Sequence, residues 1–307
     1  MDVSLSRAAC DELGATLLWR EASASTNLDL VSRVSRASSG SEEEPLADLT
    51  VIATDTQTAG RGRLGRAWST PPGTALAVSV YLAHAPAGGA TGGTAGGATG
   101  SASGGTAAAD PRRLGWVPLL AGVAMVRAVR GLGVAAAGVK WPNDVLVDGR
   151  KLCGILTELT PTGVVVGAGL NVTMSAEQLP VPTATSLVIE GADAPPMLDS
   201  AVPDSAPLDS ALLDRALAAY LRELAALVGR WREAEHPAAL RPVVEAHLQT
   251  LGLAVRVDLP GQPPVRGTAI GLDDDGRLLV RPAGDDSRAT MGVVAVAAGD
   301  VTHLRYE

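Results

Sequence analysis

At Gly252 the periodicity of the chain changes, and that change sets most of what the chain can fold into. Upstream, apolar runs of strand length alternate with segments whose apolar residues recur every three or four positions. Residues 50–54 and 74–82 are β-type runs, the second with many β-branched positions. Residues 116–132 carry Leu119, Leu120, Val123 and Val126 at helical spacing and stop at Gly131 and Gly133. Strand-like segments follow at 138–147, 152–159 and 164–170, with Asp148-Gly149 as a hairpin signal between the first two. Leu212, Leu213, Leu217, Leu221, Leu224 and Val228 predict an amphipathic helix, and a shorter one is expected over about 238–251. Beyond Gly252 only short strands remain, at 253–259, 265–270, 277–281 and 291–296, separated by turns such as Asp273-Asp274-Asp275-Gly276. The expected organisation is an α+β domain over residues 1–250 followed by a small β-barrel over 251–307. Two low-complexity tracts, 83–109 and 192–209, read as flexible exposed insertions.

Composition removes several function classes. A net charge of −8 supplies no broad basic face, so general nucleic-acid binding is not expected. No run approaches the ~18 apolar residues of a membrane span, and the N-terminus has no signal-peptide pattern. Two cysteines, Cys10 and Cys153, are too few for a disulfide framework and suit a reducing cytoplasm. The chain has no Phe, and of its 25 basic residues only Lys140 and Lys151 are lysine. Its only asparagines are Asn27, Asn143 and Asn171. Where arginine replaces lysine so generally, a retained lysine marks a place for a compact ammonium instead of a planar fork.

These scarce residues fall in a few segments. Gln57 precedes Gly60-Arg61-Gly62-Arg63-Leu64-Gly65-Arg66-Ala67-Trp68, which satisfies G-x-G-x-x-G. A dinucleotide site needs a helix starting inside that motif, but Ser69-Thr70-Pro71-Pro72-Gly73 follows at once. Arginines on a glycine-rich loop instead suit clamping of carboxylate or phosphate oxygens. The second segment runs from Lys140-Trp141-Pro142-Asn143-Asp144 to Arg150-Lys151-Leu152-Cys153-Gly154. With a two-residue turn at Asp148-Gly149, Leu146 pairs with Lys151 and Asp144 with Cys153, which puts Asp144 and Lys151 on one face. That pair is either an ordinary salt bridge or a magnesium ligand beside a phosphate-neutralising lysine. Lysine scarcity favours the second. Gly154 would leave space for a ligand over its strand. Ser25-Thr26-Asn27 is by itself a helix N-cap signal, and Gly167-Ala168-Gly169-Leu170-Asn171 suggests only close backbone approach. No P-loop is present, and His84, His236, His247 and His303 show no triad or metal spacing.

In order and spacing, these segments resemble biotin–protein ligases, and Gly-Asp-Val-x-His-Leu-Arg at 299–305 extends the likeness to that family's SH3-like barrel. The resemblance implies a mixed-sheet α+β catalytic domain and a two-step reaction. Biotin and Mg-ATP form biotinyl-5′-AMP, and a lysine of a biotin carboxyl carrier protein then takes the biotin. It assigns biotin to Ser25, Thr26, Asn27, Gln57, Gly60, Gly154 and Gly167. Arg61, Gly62 and Arg63 would close over the carboxylate and phosphates, and Lys151 would contact the carboxylate and α-phosphate. Lys140, Asn143, Asn171 and Trp68 would face the nucleotide, with Asp144 a magnesium ligand. Some family members carry an N-terminal DNA-binding domain. About twenty residues precede Ser25 here, too few for one, so no DNA binding is expected. Monomer and homodimer both remain open. Lipoate–protein ligase shares the fold, but its Arg-Arg-x-Ser-Gly-Gly-Gly loop is missing. A biotin-binding protein without turnover would lack a catalytic residue, whereas Lys151, Arg63 and Asp144 are all present.

Overall fold

The computed structural model describes residues 1–38, 44–84, 114–192, 208–259, 261–284, 292–297 and 299–303. The expected insertions at 83–109 and 192–209 lie, apart from their ends, outside the described residues. The part before Gly252 is built on seven strands: β1 (Thr16–Trp19), β2 (Thr50–Thr54), β5 (Ala75–Ala83), β6 (Ala137–Lys140), β7 (Asp144–Val147), β8 (Arg150–Thr160) and β9 (Gly163–Asn171). Between β2 and β5, β3 (Gly60–Arg61) and β4 (Ala67–Trp68) form a separate two-stranded ribbon. The large sheet runs β1-β2-β5-β9-β8-β7-β6, with β1 and β2 parallel and every other pair antiparallel. It is therefore a mixed sheet.

Strand alternation gives its two faces different work. Leu76, Val78, Val80 and Leu82 of β5 join Val164, Val166, Ala168 and Leu170 of β9 in the main core. That core lies under helices α3 (Val117–Arg130) and α4 (Leu208–Glu233), with α1 (Ser4–Leu13) against α4. No residue of the α1 sequence caps its N-terminus. Asp214 of α4 does so, accepting from Leu5 N–H at 2.8 Å and Ser6 N–H at 2.9 Å. On the opposite face, Tyr81 and Val165 meet Leu30 and Val34 of α2 (Thr26–Ser38) in a smaller core. The next positions along the same face, Ser79 paired with Gly167 and then Gly169, are small or polar and leave room for the site.

Three sequence expectations are corrected. The run 138–147 is two strands, β6 and β7, because Pro142 has no N–H for a ladder and the chain turns there. In the β7–β8 hairpin the register slips between Val145 and Leu146, so Asp144 pairs with Gly154, not Cys153. The extra residue brings Lys151 and Gly154 to the same face, two positions that strict alternation would separate. The helix expected over 238–251 is only a 3₁₀ turn, Pro237–Leu240, followed by the short α5, Arg241–Glu245. Beyond it the backbone of His247 and Gln249 hydrogen-bonds Val139, at 2.8 Å in each direction, and seals the β6 edge.

After Gly252 come β10 (Ala254–Leu259), β11 (Gln262–Leu272), β12 (Leu278–Pro282), β13 (Val294–Val296) and β14 (Asp300–His303). They form one antiparallel sheet, ordered β13-β12-β11-β10-β14. The last strand was not anticipated. The acidic turn between β11 and β12 is more than a connection. Buried Trp116 and Trp141 donate their indole N–H groups to Asp274 O at 2.9 Å and Gly276 O at 3.1 Å. Gly115 must be glycine here, since a Cβ would overlap Asp275 O. Arg277 and Arg241 pair with the aspartates, so the turn enters the interface with its charges partnered. No helix among the described residues is long and apolar enough to cross a membrane.

Candidate active site

Two cavities meet over the open face of the large sheet. The inner pocket is narrow, about 80 Å³, and begins at the N-terminus of α2. Ser25 Oγ caps that helix by accepting from Leu28 N–H at 3.5 Å. Gln57 Oε1 accepts from Thr26 N–H at 2.9 Å and lies 3.3 Å from Thr26 Oγ1. Ser79 Oγ stands 2.8 Å from Thr26 Oγ1 and 2.6 Å from Asn27 Oδ1. Asn27 Nδ2 donates to Leu156 O at 3.2 Å and to Glu158 Oε2 at 2.8 Å. Ser25, Thr26, Asn27 and Ser79 are nearly closed to solvent, and Gln57 reaches them from the segment after β2. Ser79 and Glu158 had no place in the sequence reading. A lone serine in the apolar run Ala-Val-Ser-Val-Tyr was the available signal for the first.

The glycines serve the protein's own side chains. A Cβ on Gly167 would overlap the Asn27 amide, one on Gly169 would sit 2.9 Å from the Trp68 ring, and one on Gly154 would be 2.9 Å from Lys151 Nζ. Gly60 is likewise held between Gln57 and Trp68, behind the pocket wall. Gly154 and Gly167 still line the pocket, so the space they leave is shared between side chains and ligand.

The outer cleft is wider, about 810 Å³, and its far wall is Gly299, Val301, Thr302 and His303 of the C-terminal sheet. The β3–β4 ribbon carries the arginine loop across the junction. Arg63 Nη1 donates to Asn143 Oδ1 at 2.8 Å and to Gly299 O at 3.5 Å, while Asn143 Nδ2 donates to Ile155 O at 2.8 Å. Arg61 lines the inner pocket, and Gly62 and Trp68 line both cavities. Lys151 Nζ is 2.6 Å from Asp144 Oδ1, with the lysine half-exposed, so the pair faces the cavity as the shared face predicted. Lys140, Asp144 and Asn171 line the outer cleft only. Asn171 spends its amide nitrogen on Thr185 O at 2.9 Å and Lys151 O at 3.5 Å, which fixes the strand position of the lysine. Cys153, on the core side, is buried and its thiol is pushed up to about 12, so it packs as a small apolar residue. His303 accepts no charge easily: burial first and Lys140 second hold its imidazole below its ordinary range. Every candidate residue read from the sequence therefore sits at one of the two cavities or, for Gly60, directly behind the inner one.

Comparison with known proteins places the chain in a family. The chain is 36% identical to the biotin–[acetyl-CoA-carboxylase] ligase of Mycobacterium tuberculosis over 301 residues, 95% of this chain and 92% of the relative. The chain belongs to the biotin–protein ligase family. Residues 107–174 match the Biotin/lipoate A/B protein ligase family and 250–304 the Biotin protein ligase C terminal domain. The biotin–[acetyl-CoA-carboxylase] ligase of Paracoccus denitrificans is 30% identical over 74% of this chain and 82% of its own. The fold also matches the Aquifex aeolicus biotin protein ligase solved with biotin and ATP, at TM-score 0.65 and 23% identity, covering 95% of this chain and 99% of that one.

Proposed function

We propose that the inner pocket holds biotin, the outer cleft holds ATP, and adenylation occurs where the two meet. The observation that carries this reading is that Lys151 and Arg63 line both cavities, one ammonium and one guanidinium at a single junction. There the biotin carboxylate attacks the α-phosphorus, a P–O bond forms, and pyrophosphate leaves. Two anions must approach each other, so charge neutralisation and positioning supply most of the rate. Ser25, Thr26, Asn27 and Gln57 bind the polar end of biotin, with Gly154 and Gly167 beneath it and Gly60 shaping the wall. Arg61, Gly62 and Arg63 close over the carboxylate and phosphates, held by Asn143. Lys140, Asn143, Asn171 and Trp68 form the nucleotide side. The closed loop then keeps water from the mixed anhydride until a carrier lysine attacks its acyl carbon and AMP departs.

Among the described residues no group of three or more His, Cys, Asp or Glu side chains gathers to hold a metal alone. Among the described side chains, Asp144 is the one acid lining the outer cleft. That fits magnesium arriving with ATP, which needs one or two carboxylates beside the phosphate oxygens. Bound there, it would neutralise phosphate charge. The carrier is a biotin carboxyl carrier protein of the acetyl-CoA carboxylase type, and the reaction belongs in the cytoplasm, where buried Cys10 and Cys153 stay reduced. We place the boundary between the catalytic domain and the C-terminal barrel near residue 250. Pyrophosphate release with Mg-ATP and either biotin or lipoate, with mass spectrometry of the bound product, tests the reading. Biotin-dependent release with a biotinyl-AMP peak is expected, and release with lipoate alone would overturn it.

A further inference from the structure

The inner network runs in one direction, and Glu158 decides which. Ser79 has a single hydroxyl proton, yet its Oγ lies 2.6 Å from Asn27 Oδ1 and 2.8 Å from Thr26 Oγ1. The amide oxygen has no proton to give, so Ser79 must donate to Asn27. Thr26 then gives its one hydroxyl proton to Ser79 at 2.8 Å, in preference to the longer 3.3 Å contact with Gln57 Oε1. Reversal would need the Asn27 amide to flip. Its oxygen would then face Leu156 O and the Glu158 carboxylate, two acceptors, in place of the N–H groups that now bond them.

The direction sets what the pocket offers a ligand. As it stands, Thr26 Oγ1 and the second lone pair of Asn27 Oδ1 are acceptors, while the Ser25 hydroxyl, whose oxygen takes Leu28 N–H, keeps its proton to donate. That order suits a carbonyl flanked by N–H groups, which is the ureido ring of biotin. With the amide flipped, Asn27 would present an N–H to the ligand N–H. Resting on the biotin-ligase reading, we propose that Glu158 is a positioning residue. It does not line the pocket; it acts through Asn27, locking the amide so that the site accepts hydrogen bonds from the ureido N–H groups.

The test compares Glu158→Gln with Glu158→Ala, measuring affinity for biotin and for an analogue with one ureido N–H replaced by ring oxygen. Glutamine can donate to a flipped Asn27 oxygen, whereas alanine leaves Leu156 O to hold the original orientation. The wild-type preference for biotin should fall about tenfold in the glutamine variant, as one hydrogen bond of ~1.4 kcal/mol would give, and less in the alanine variant. A role in packing alone predicts the opposite order. Glutamine retaining the full preference, or alanine losing at least as much, would overturn the proposal. The unmutated protein offers a second measurement, because Asn27, Asn143 and Asn171 are its only asparagines. With ¹⁵N-asparagine labelling, and Asn27→Asp for assignment, both Asn27 side-chain amide protons should exchange slowly without ligand; one fast proton would overturn it. If wild-type protein shows no affinity for biotin at all, the ligase reading fails while the exchange result still reports the Asn27 geometry.

Discussion

The inner pocket is lined by the neutral side chains of Ser25, Thr26, Asn27 and Gln57, with Ser79 hydrogen-bonded to Thr26 and Asn27, most of them shielded from solvent. The outer cleft has Arg63, Arg66, Lys140 and Lys151 on its walls, half-exposed or facing solvent, with one carboxylate, Asp144, among its described side chains. A buried neutral network selects a ligand by donor and acceptor order and stays in place when empty, because each group already has a partner. The outer cations are part-exposed, so ties such as Lys151 to Asp144 and Arg63 to Asn143 contribute little to stability and can be exchanged for anions that enter later. The inner pocket therefore joins a buried neutral network to the cations Arg61, Arg63 and Lys151, whereas the outer cleft offers cations without such a network.

Lys151→Ala gives the sharpest separation of the two regions. Adenylation should fall by about a thousandfold or more, the scale lost when a group aimed at developing charge is removed. Biotin affinity should fall far less, by about tenfold, since Lys151 also lines the inner pocket but the neutral network is untouched. Single-turnover pyrophosphate release and equilibrium biotin binding check the two halves, and unchanged turnover would remove Lys151 from the mechanism. Gly167→Ala should do the reverse. A Cβ there would overlap the Asn27 amide, so biotin affinity should drop about a hundredfold, by ~2.7 kcal/mol, while ATP binding is kept. Equal losses for both ligands would mean that the cavities are not separable. A smaller effect is expected for Arg63→Gly, which removes the 2.8 Å tie to Asn143 across the junction. The adenylate should escape and label lysines on bystander proteins, by about tenfold over wild type if water exclusion is what the loop supplies. Labelling confined to the carrier lysine would show that the loop does not retain the intermediate.

How much of this was readable beforehand follows the same division. The outer cleft was legible because its residues are compositionally rare: Lys140, Lys151, Asn143 and Asn171 stand out in a chain that otherwise uses arginine. The α+β plan and the change at Gly252 were legible from periodicity. The Asp144–Lys151 face was reached by an incomplete argument, since the bulge that slips the hairpin register has no sequence mark at Val145-Leu146. Ser79 and Glu158 were not found, because a hydroxyl in a strand and an acid near a strand end are ordinary until Asn27 is placed between them. The acidic turn 273–276 reads from sequence only as a turn between strands, and the tertiary contacts of Trp116 and Trp141 make it an interface. Sequence conveys which residues are unusual; it conveys poorly which ordinary residues are brought together.

The smallest expected effect lies on pH, and at the site it belongs to His303 of the outer cleft. Thr250 Oγ1 accepts from Trp141 N–H at 3.0 Å, so its own proton is free for His303 Nε2, 3.2 Å away, which favours the neutral imidazole. Burial and the nearby Lys140 push in the same direction, below the usual 6.5. The sign follows from proton uptake: below about pH 6.5 the unfolded chain protonates this histidine while the folded chain resists, so stability present above that pH is lost as pH falls. His303→Gln keeps a side chain able to accept from Thr250 but does not titrate, so its unfolding midpoint should decline less than wild type between pH 7 and pH 5.5. The slope should shrink without vanishing, because His84 and His247 are also held low, chiefly by burial. Identical pH profiles for the two proteins would show that His303 is protonated as readily in the fold as outside it. Biotin affinity, by contrast, should hardly change over this range, since no histidine touches the network around Asn27.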